Sequence, residues 1–266
     1  MYWQERFDRE DPDADLLRKI QYIREEHKDY GYRRIHGELR KQGFKVNKKR
    51  VHRIVRKYGM QVTSYTRKSR RFSTYKGVVG RIAPNRVNRR FNTCIPHQKI
   101  TTDTTEFKYY EPDDKGRVSI RKLYLDPFMD MWNLEILSYG ISDRPSAQSI
   151  MKALNEAIDA TNDCSFRRTF HSDRGWAYQM GIYRQALKSN RIFQSMSRKG
   201  NCYDNSPMEN FFGIMKQEMY YGQIYNSFDK LKDAIDKYIR YYNQKRIKAS
   251  LGYLSPVEYR KEMSAA

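Results

Sequence analysis

The sequence predicts an α/β protein in which a mixed sheet with flanking helices follows a small all-α, helix-turn-helix-like domain. Three observations predict it. The first sixty residues carry apolar side chains at helical spacing, with capping and stop residues between the runs. From about residue 97, strand-like runs alternate with helical ones in the order β-β-β-α-β-α-β-α. Charge divides at the same place: residues 1–100 hold 27 basic and 10 acidic side chains, and the remaining 166 hold 25 and 21.

Residues 11–27 predict a first helix. Asp11 can cap it, Pro12 takes its first position, and Leu16, Leu17, Ile20 and Ile23 form one apolar stripe. A second helix is predicted over 32–42, with Ile35 and Leu39 inward and Gly43 as its stop. Asn47 can cap a third, 48–58, that ends at Gly59. Its apolar face is Val51, Ile54, Val55 and Tyr58, and its other face carries Lys48, Lys49, Arg50, Arg53, Arg56 and Lys57. Two short helices with a basic second member suit a helix-turn-helix with 48–58 as recognition helix. Residues 61–96 have no clear period and are rich in Arg, Lys, Ser and Thr, which reads as a basic linker tracking a phosphate backbone; Tyr65, Phe72 and Tyr75 could stack on bases or pack on a neighbouring domain. The runs around Asp103, over 121–133 and over 134–142 predict three sequential strands. Then come a helix over 147–159, a strand over 165–173, a helix over 177–189, a strand over 192–197 and a helix from Pro207 to about Met219. A strong helix after Ser227 and a last short one after Ser255-Pro256 complete the chain. The expected domains are 1–60 (helix-turn-helix-like), 61–96 (basic linker), 97–222 (mixed-sheet core) and 223–266 (C-terminal helical extension).

Net charge is +21, and between Leu39 and Thr102 there are nineteen Lys and Arg but no Asp or Glu. Such a segment gains affinity for a polyanion such as DNA by releasing condensed counterions, so the partner expected is nucleic acid rather than an acidic lipid surface. No apolar run approaches the roughly 20 residues of a membrane span and no signal peptide opens the chain, so a cytoplasmic protein with no membrane partner is expected. Cys94, Cys164 and Cys202 make no disulfide framework and read as free thiols.

Three acidic residues carry the chemistry: Asp103 in ITTDTTEF, Asp173 in FHSDRGWAY and Glu209 in NCYDNSPMENFFGIMKQE, with thirty-five residues between the last two. Three carboxylates from distant segments can hold two divalent ions, and two ions suit in-line attack on a phosphodiester. Each has a plainer reading. Asp103 could be a solvated strand carboxylate, and Asp173, before Arg174-Gly175, a turn residue. Ser206-Pro207-Met208-Glu209 writes a capping box, in which Glu209 reaches back to the Ser206 amide. The pattern recurs as Ser255-Pro256-Val257-Glu258, and two such boxes cannot both be catalytic. In favour of a site, Asp173 ends a predicted strand, where open α/β sheets place their ligands. Asn205, Glu209, Phe212 and Lys216 fall at helical spacing, so Glu209 and Lys216 share a face.

At these residues the chain resembles the integrase-core transposases of bacterial insertion sequences, in the large family numbered three, close relatives of retroviral integrases. TDTTEF, HSDRGWAY and SRKGNCYDNSPMENFFGIMKQE resemble the three acidic boxes, YYNQKRIKASLGYLSPVEYR the C-terminal signature, and YGYRRIHGELRKQGFKVNKKRVHRIVRKYG the helix-turn-helix-like segment. The resemblance covers about Ile20 to Arg260. It implies an RNase H-like core whose metal ligands are Asp103, Asp173 and Glu209, with Mg²⁺ as the ion and Mn²⁺ as its substitute. It implies a DDE transposase that cleaves and transfers DNA strands at insertion-sequence ends, with no covalent protein–DNA intermediate. Arg174, Lys199, Asn201, Asn205 and Lys216 are expected to contact DNA, and His171 either to join them or to be packed. A homo-oligomer on paired ends and target DNA are expected, and an upstream reading-frame product is a further candidate partner. The histidines and cysteines lack the spacing of a zinc-binding integrase N-terminus, so no structural zinc is expected. Two departures stand out: Lys99-Ile100-Thr101-Thr102 precedes the first Asp where relatives often have Trp, and Trp176 follows the Asp-Arg-Gly turn. The competing readings are a non-catalytic DNA-binding protein, which would not need three carboxylates, and a ribonuclease H or junction resolvase, disfavoured by the basic N-terminal region and the C-terminal signature.

Overall fold

The computed structural model describes residues 11–63, 81–112, 115–199 and 201–264. They form two compact units: 11–63 with 247–254, and 81–246 with 255–264.

The smaller unit is three helices, α1 (Ala14–Glu26), α2 (Tyr32–Lys41) and α3 (Lys48–Lys57). Its core takes Leu16, Ile20 and Ile23 from α1, Ile35 and Leu39 from α2, Val51, Ile54 and Val55 from α3, and Ile247 from the returning segment. Asn47 caps α3 by accepting the Lys49 amide at 2.8 Å. Gly43 and Gly59 stop α2 and α3 in the left-handed region, at φ +86° and +64°. The first helix begins later than expected. Asp11 does not cap it directly but accepts the Asp13 amide at 2.9 Å, and the helix opens at Ala14. Gly37 is fixed by packing, since a Cβ there would collide with the Tyr253 ring of the same unit.

The larger unit is a six-stranded mixed sheet. A meander of β2 (Thr105–Pro112), β3 (Val118–Asp130) and β4 (Ile136–Ser142) continues through β1 (Lys99–Thr102), which pairs antiparallel with β3. β5 (Thr169–Ser172) and β6 (Phe193–Met196) add in parallel on the other side of β1. The β-β-β-α-β-α-β-α order is as predicted, with one refinement. β1 and β2 are a single strand interrupted at Asp103-Thr104. Thr102 pairs with Phe128 and Thr105 with Leu125, so the same register runs through the gap and sets Asp103 opposite Pro127 and Thr104 opposite Asp126. Pro127 has no N–H to give a ladder.

One sheet face packs α4 (Ala147–Ala160) and α5 (Gly181–Ser189), with Leu154, Phe170, Tyr183 and Leu187 between. The other packs α6 (Ser206–Met215) and α7 (Phe228–Gln244), with Phe107, Leu123, Phe211, Ile235 and Tyr242 between. Helix α8 (Pro256–Ser264) follows the segment that joins the smaller unit. Two expected boundaries shift. Residues 81–96, expected in the linker, belong to the larger unit: Val87 is buried, and the Arg86 amide donates to Ser195 Oγ at 2.9 Å. Residues 223–246, expected as an extension, are core. A turn of π-helix, Lys216–Tyr220, is clamped to the end of α7 by a buried two-pronged pair in which Arg246 donates to both Glu218 oxygens, at 2.7 and 2.6 Å. Tyr65, Phe72 and Tyr75 lie outside the described residues.

Candidate active site and nucleic-acid surface

The sheet topology brings the two aspartates together. β1 and β5 are parallel neighbours with Thr101 opposite His171, so each carries its aspartate two residues beyond that pair, off the carboxyl end. Neighbouring strands lie about 4.8 Å apart. Both aspartates are half-buried and each uses one oxygen locally: Asp103 Oδ1 accepts the Thr104 amide and Asp173 Oδ1 the Gly175 amide, each at 2.8 Å. The second oxygen of each has no hydrogen-bond partner among the described residues. Asp173 is thus a turn residue and still holds a free oxygen over the site.

Glu209 lies in the first turn of α6, half-buried, and does not cap. Among the described residues no hydrogen bond joins Ser206 to Glu209, because Ser206 is already helical (φ −57°, ψ −30°) and Asn205 precedes the helix. The second box behaves as written: the Ser255 amide donates to Glu258 at 2.9 Å and the Glu258 amide to Ser255 Oγ at 3.3 Å. The capping expectation for Glu209 is therefore corrected, and its carboxylate is left without a local role.

Electrostatics links the acids. Burial first, then the charge of Asp173, and more weakly Glu209 and Asp126, push the Asp103 carboxyl well above its usual range. Burial raises Asp173 and Glu209 as well. A set of half-buried carboxylates, all raised by burial and Asp103 also by its neighbours' charge, suits a hard divalent cation, which would relieve the repulsion at Asp103. As they stand, no three His, Cys, Asp or Glu side chains among the described residues close into one ligand group.

Sequence reasoning missed the floor of this site. Asp126, in β3, is buried and accepts Thr104 Oγ1 at 2.6 Å, and burial pushes its carboxyl up to about 6. The Tyr178 hydroxyl sits 3.4 Å from Thr104 Oγ1 and feels the charges of Asp126, Asp103 and Asp173. The one available signal was the acid in LYLDPF, an aspartate inside an otherwise apolar strand.

The expected DNA contacts fall into different classes. Lys48, Lys49 and Arg56 are exposed on α3. Arg50 and Arg53 are held by Asp13 at 2.7 and 2.5 Å, and Lys57 lies 3.7 Å from Asp11, so half of that basic face is partly neutralised. Lys199 is exposed; Arg174 donates to the Ser197 carbonyl at 2.8 Å, and Asn201 accepts from Arg89 at 3.1 Å. Lys216 is an internal tether, donating to Thr105 Oγ1 at 2.6 Å and to the Glu106 carbonyl at 2.9 Å. Asn205 is buried, with both ends of its amide engaged by β1, so it is not placed to touch DNA. His171 is packed rather than exposed. Its Nδ1 lies 2.8 Å from Ser195 Oγ, its Nε2 2.8 Å from the Asp204 carbonyl, and burial lowers its pKa to about 4.

Known proteins match the chain along its length. Residues 95–202 and 209–263 match two Integrase core domain families, and residues 10–69 an HTH-like domain. The InsK protein of insertion sequence element IS150 from Escherichia coli K12 is 39% identical over 250 residues, covering 94% of this chain and 84% of its own. A transposase-like protein of Haemophilus influenzae is 42% identical, over 83% of this chain and 95% of its own. The InsF transposase of IS3A from Escherichia coli K12 is 31% identical, over 86% and 76%. The HTLV-2 integrase catalytic core solved with magnesium superposes at a TM-score of 0.46 with 17% identity, over 62% of this chain and 97% of that one.

Proposed function

This chain belongs to the integrase-core transposases of bacterial insertion sequences, the IS3 and IS150 group, and from that premise we propose that Asp103, Asp173 and Glu209 are its catalytic metal ligands. It is a transposase, an enzyme of DNA transposition. The observation that carries the site is the convergence of Asp103 and Asp173 at the ends of two neighbouring parallel strands, with a free, uncapping Glu209 acting on Asp103.

The ion is Mg²⁺, with Mn²⁺ as substitute. When bound it supplies charge neutralisation and Lewis-acid help at the scissile phosphodiester. The protein's own part is to hold three oxygen donors in a half-buried cleft and to keep their geometry fixed. No side chain forms a bond to DNA: the attacking group is water in cleavage and a DNA 3′-hydroxyl in strand transfer. The double-stranded DNA of element ends and target is held by α3, through Lys48, Lys49 and Arg56, with Arg50, Arg53 and Lys57 partly shared with Asp11 and Asp13. Arg174, Lys199 and Asn201 are further DNA contacts in this reading. Paired ends call for a homo-oligomer, and the upstream reading-frame product is a further partner. Among the described residues no helix is long and apolar enough to cross a membrane; the cytoplasm, on the nucleoid, is the proposed location. Residues 1–60 serve as DNA-binding domain, with the catalytic core extended to include 81–96 and 223–246.

The test is joining of labelled element ends in Mg²⁺ by wild type, Asp103→Asn, Asp173→Asn, Glu209→Gln and, as internal control, Glu258→Gln. Loss in Asp103→Asn, Asp173→Asn and Glu209→Gln with retention in Glu258→Gln is expected. Undiminished joining by any of the three removes that residue from the site, and absence of joining by wild type itself returns the chain to a non-catalytic DNA-binding role.

A further inference from the structure

One short turn touches all three acidic elements. The 3-10 turn Cys202–Asn205 leads directly into α6 and hence to Glu209. Its last residue, Asn205, grips the strand behind Asp103: the Thr101 hydroxyl donates to Asn205 Oδ1, and Asn205 Nδ2 donates to the Thr102 carbonyl at 3.0 Å. Its neighbour Asp204 grips the strand behind Asp173, because the His171 ring donates from Nε2 to the Asp204 carbonyl at 2.8 Å. Asp204 is itself fully buried and anchored, accepting Arg198 at 2.7 Å, Arg89 at 3.0 Å and Asn85 at 3.0 Å.

We propose that Asp204 and Asn205 are positioning residues: this two-residue turn fixes the ends of β1 and β5 and the start of α6 in one register, so that Asp103, Asp173 and Glu209 converge on the cation. The proposal rests on the metal-ligand reading above. The physical reason is leverage. Each aspartate lies only one or two residues past a hydrogen bond to the turn, and Glu209 lies one helical turn beyond it. A shift of the turn moves all three carboxylates relative to one another, whereas a shift of any single side chain moves one. The hydrogen bonds are buried, so water cannot replace them without opening the site. Outer-shell partners of this kind alter metal affinity by roughly 10–100-fold when removed.

The experiment measures Mn²⁺ affinity of the full chain by electron paramagnetic resonance, alongside urea unfolding and strand transfer. The variants are Asn205→Ala, Thr101→Val, Thr101→Ser and Asp103→Asn. Thr101→Val removes one hydrogen bond at nearly constant volume, and Thr101→Ser restores the hydroxyl. We expect Thr101→Val and Asn205→Ala to weaken Mn²⁺ binding roughly 10-fold at temperatures where both are fully folded, and Thr101→Ser to bind as wild type. If Asn205→Ala is too unstable to fold, Thr101→Val carries the test alone. Wild-type Mn²⁺ affinity in Thr101→Val, with affinity abolished in Asp103→Asn, overturns the positioning role and leaves the metal site standing. Wild-type affinity in Asp103→Asn removes the metal site, and the positioning role falls with it.

Discussion

Replacing Asp103 by Asn is expected to stabilise the metal-free protein, although it removes a catalytic group. Asn keeps the oxygen that accepts the Thr104 amide, so the local hydrogen bond survives. What disappears is repulsion: Asp103 shares its site with Asp173, Glu209 and Asp126, and burial already disfavours its charge. Two unit charges about 5 Å apart at an effective dielectric of about 20 repel by about 3 kcal/mol. Both aspartates are half-buried and can splay toward water, which brings the expected gain down to about 1–2 kcal/mol. At this size, that raises the melting temperature of the larger unit by about 2–8 °C. The assay is thermal and urea unfolding with a chelator present, then with Mg²⁺ added. Wild type gains stability with Mg²⁺ according to its affinity, because the ion binds the folded state; Asp103→Asn does not. The order of stability therefore reverses between the two buffers. A variant less stable than wild type in chelator, or one that Mg²⁺ stabilises equally, would refute the argument that these carboxylates repel one another around an ion site.

Three further outcomes follow from particular side chains. Glu258→Ala should lose about 1 kcal/mol of stability by unfolding, as a removed helix cap does, and keep strand transfer; Glu209→Gln should keep stability and lose strand transfer. Asp204 is held below the usual carboxylate range first by Arg198 and then by Arg89. A depressed folded value means that its contribution is full above about pH 4, the unfolded value, and is lost as pH falls through the lower, folded one. Acid unfolding curves of wild type and Asp204→Asn should therefore differ at neutral pH by about 2–4 kcal/mol and converge in strong acid, and a constant gap down to about pH 2 would count against this linkage. Replacing Lys48, Lys49 and Arg56 by Ala should flatten the dependence of DNA affinity on salt, by about 0.9 in log–log slope for each phosphate no longer neutralised, as read by binding titrations at several salt concentrations.

Local grammar made much of this molecule legible. Asn47 caps the helix it was expected to cap, Gly43 and Gly59 stop theirs, and the apolar stripes of α1 to α3 form one core. Such signals act within a few residues and need no partner. What stayed hidden depended on distant pairing. Nothing local says that residues 81–96 belong to the larger unit, because they are held by Ser195 and Asp204, more than a hundred residues away. Asp126 reads as an interruption of an apolar strand until the register puts it opposite Thr104. Asn205, polar and in an acidic box, looked like a group for DNA, and His171 could have been either that or packed. Both turn inward: His171 is held by Ser195 and the Asp204 carbonyl, and Asn205 by Thr101 and Thr102 of β1.

The two Ser-Pro-x-Glu segments show how a distant interaction overrides a local motif. At Ser255 the serine and Glu258 exchange both hydrogen bonds and the box closes, while the Ser255 hydroxyl donates to the Gln244 carbonyl. At Ser206 the preceding residue is Asn205, whose amide is committed to Thr101 and Thr102 of β1. That commitment fixes the backbone before the serine and draws Ser206 into the helix itself, at φ −57° and ψ −30°. A serine inside the helix cannot act as its cap, and the glutamate three residues on then has no amide to reach. The carboxylate is thereby released toward Asp103. The same tether that orients α6 on β1 thus prevents the motif from consuming its glutamate. Asn205→Ala, by freeing that backbone, should allow Ser206 to cap. A crystal structure of the variant with a closed Ser206–Glu209 box would bear this out, and an unchanged helical Ser206 would refute it.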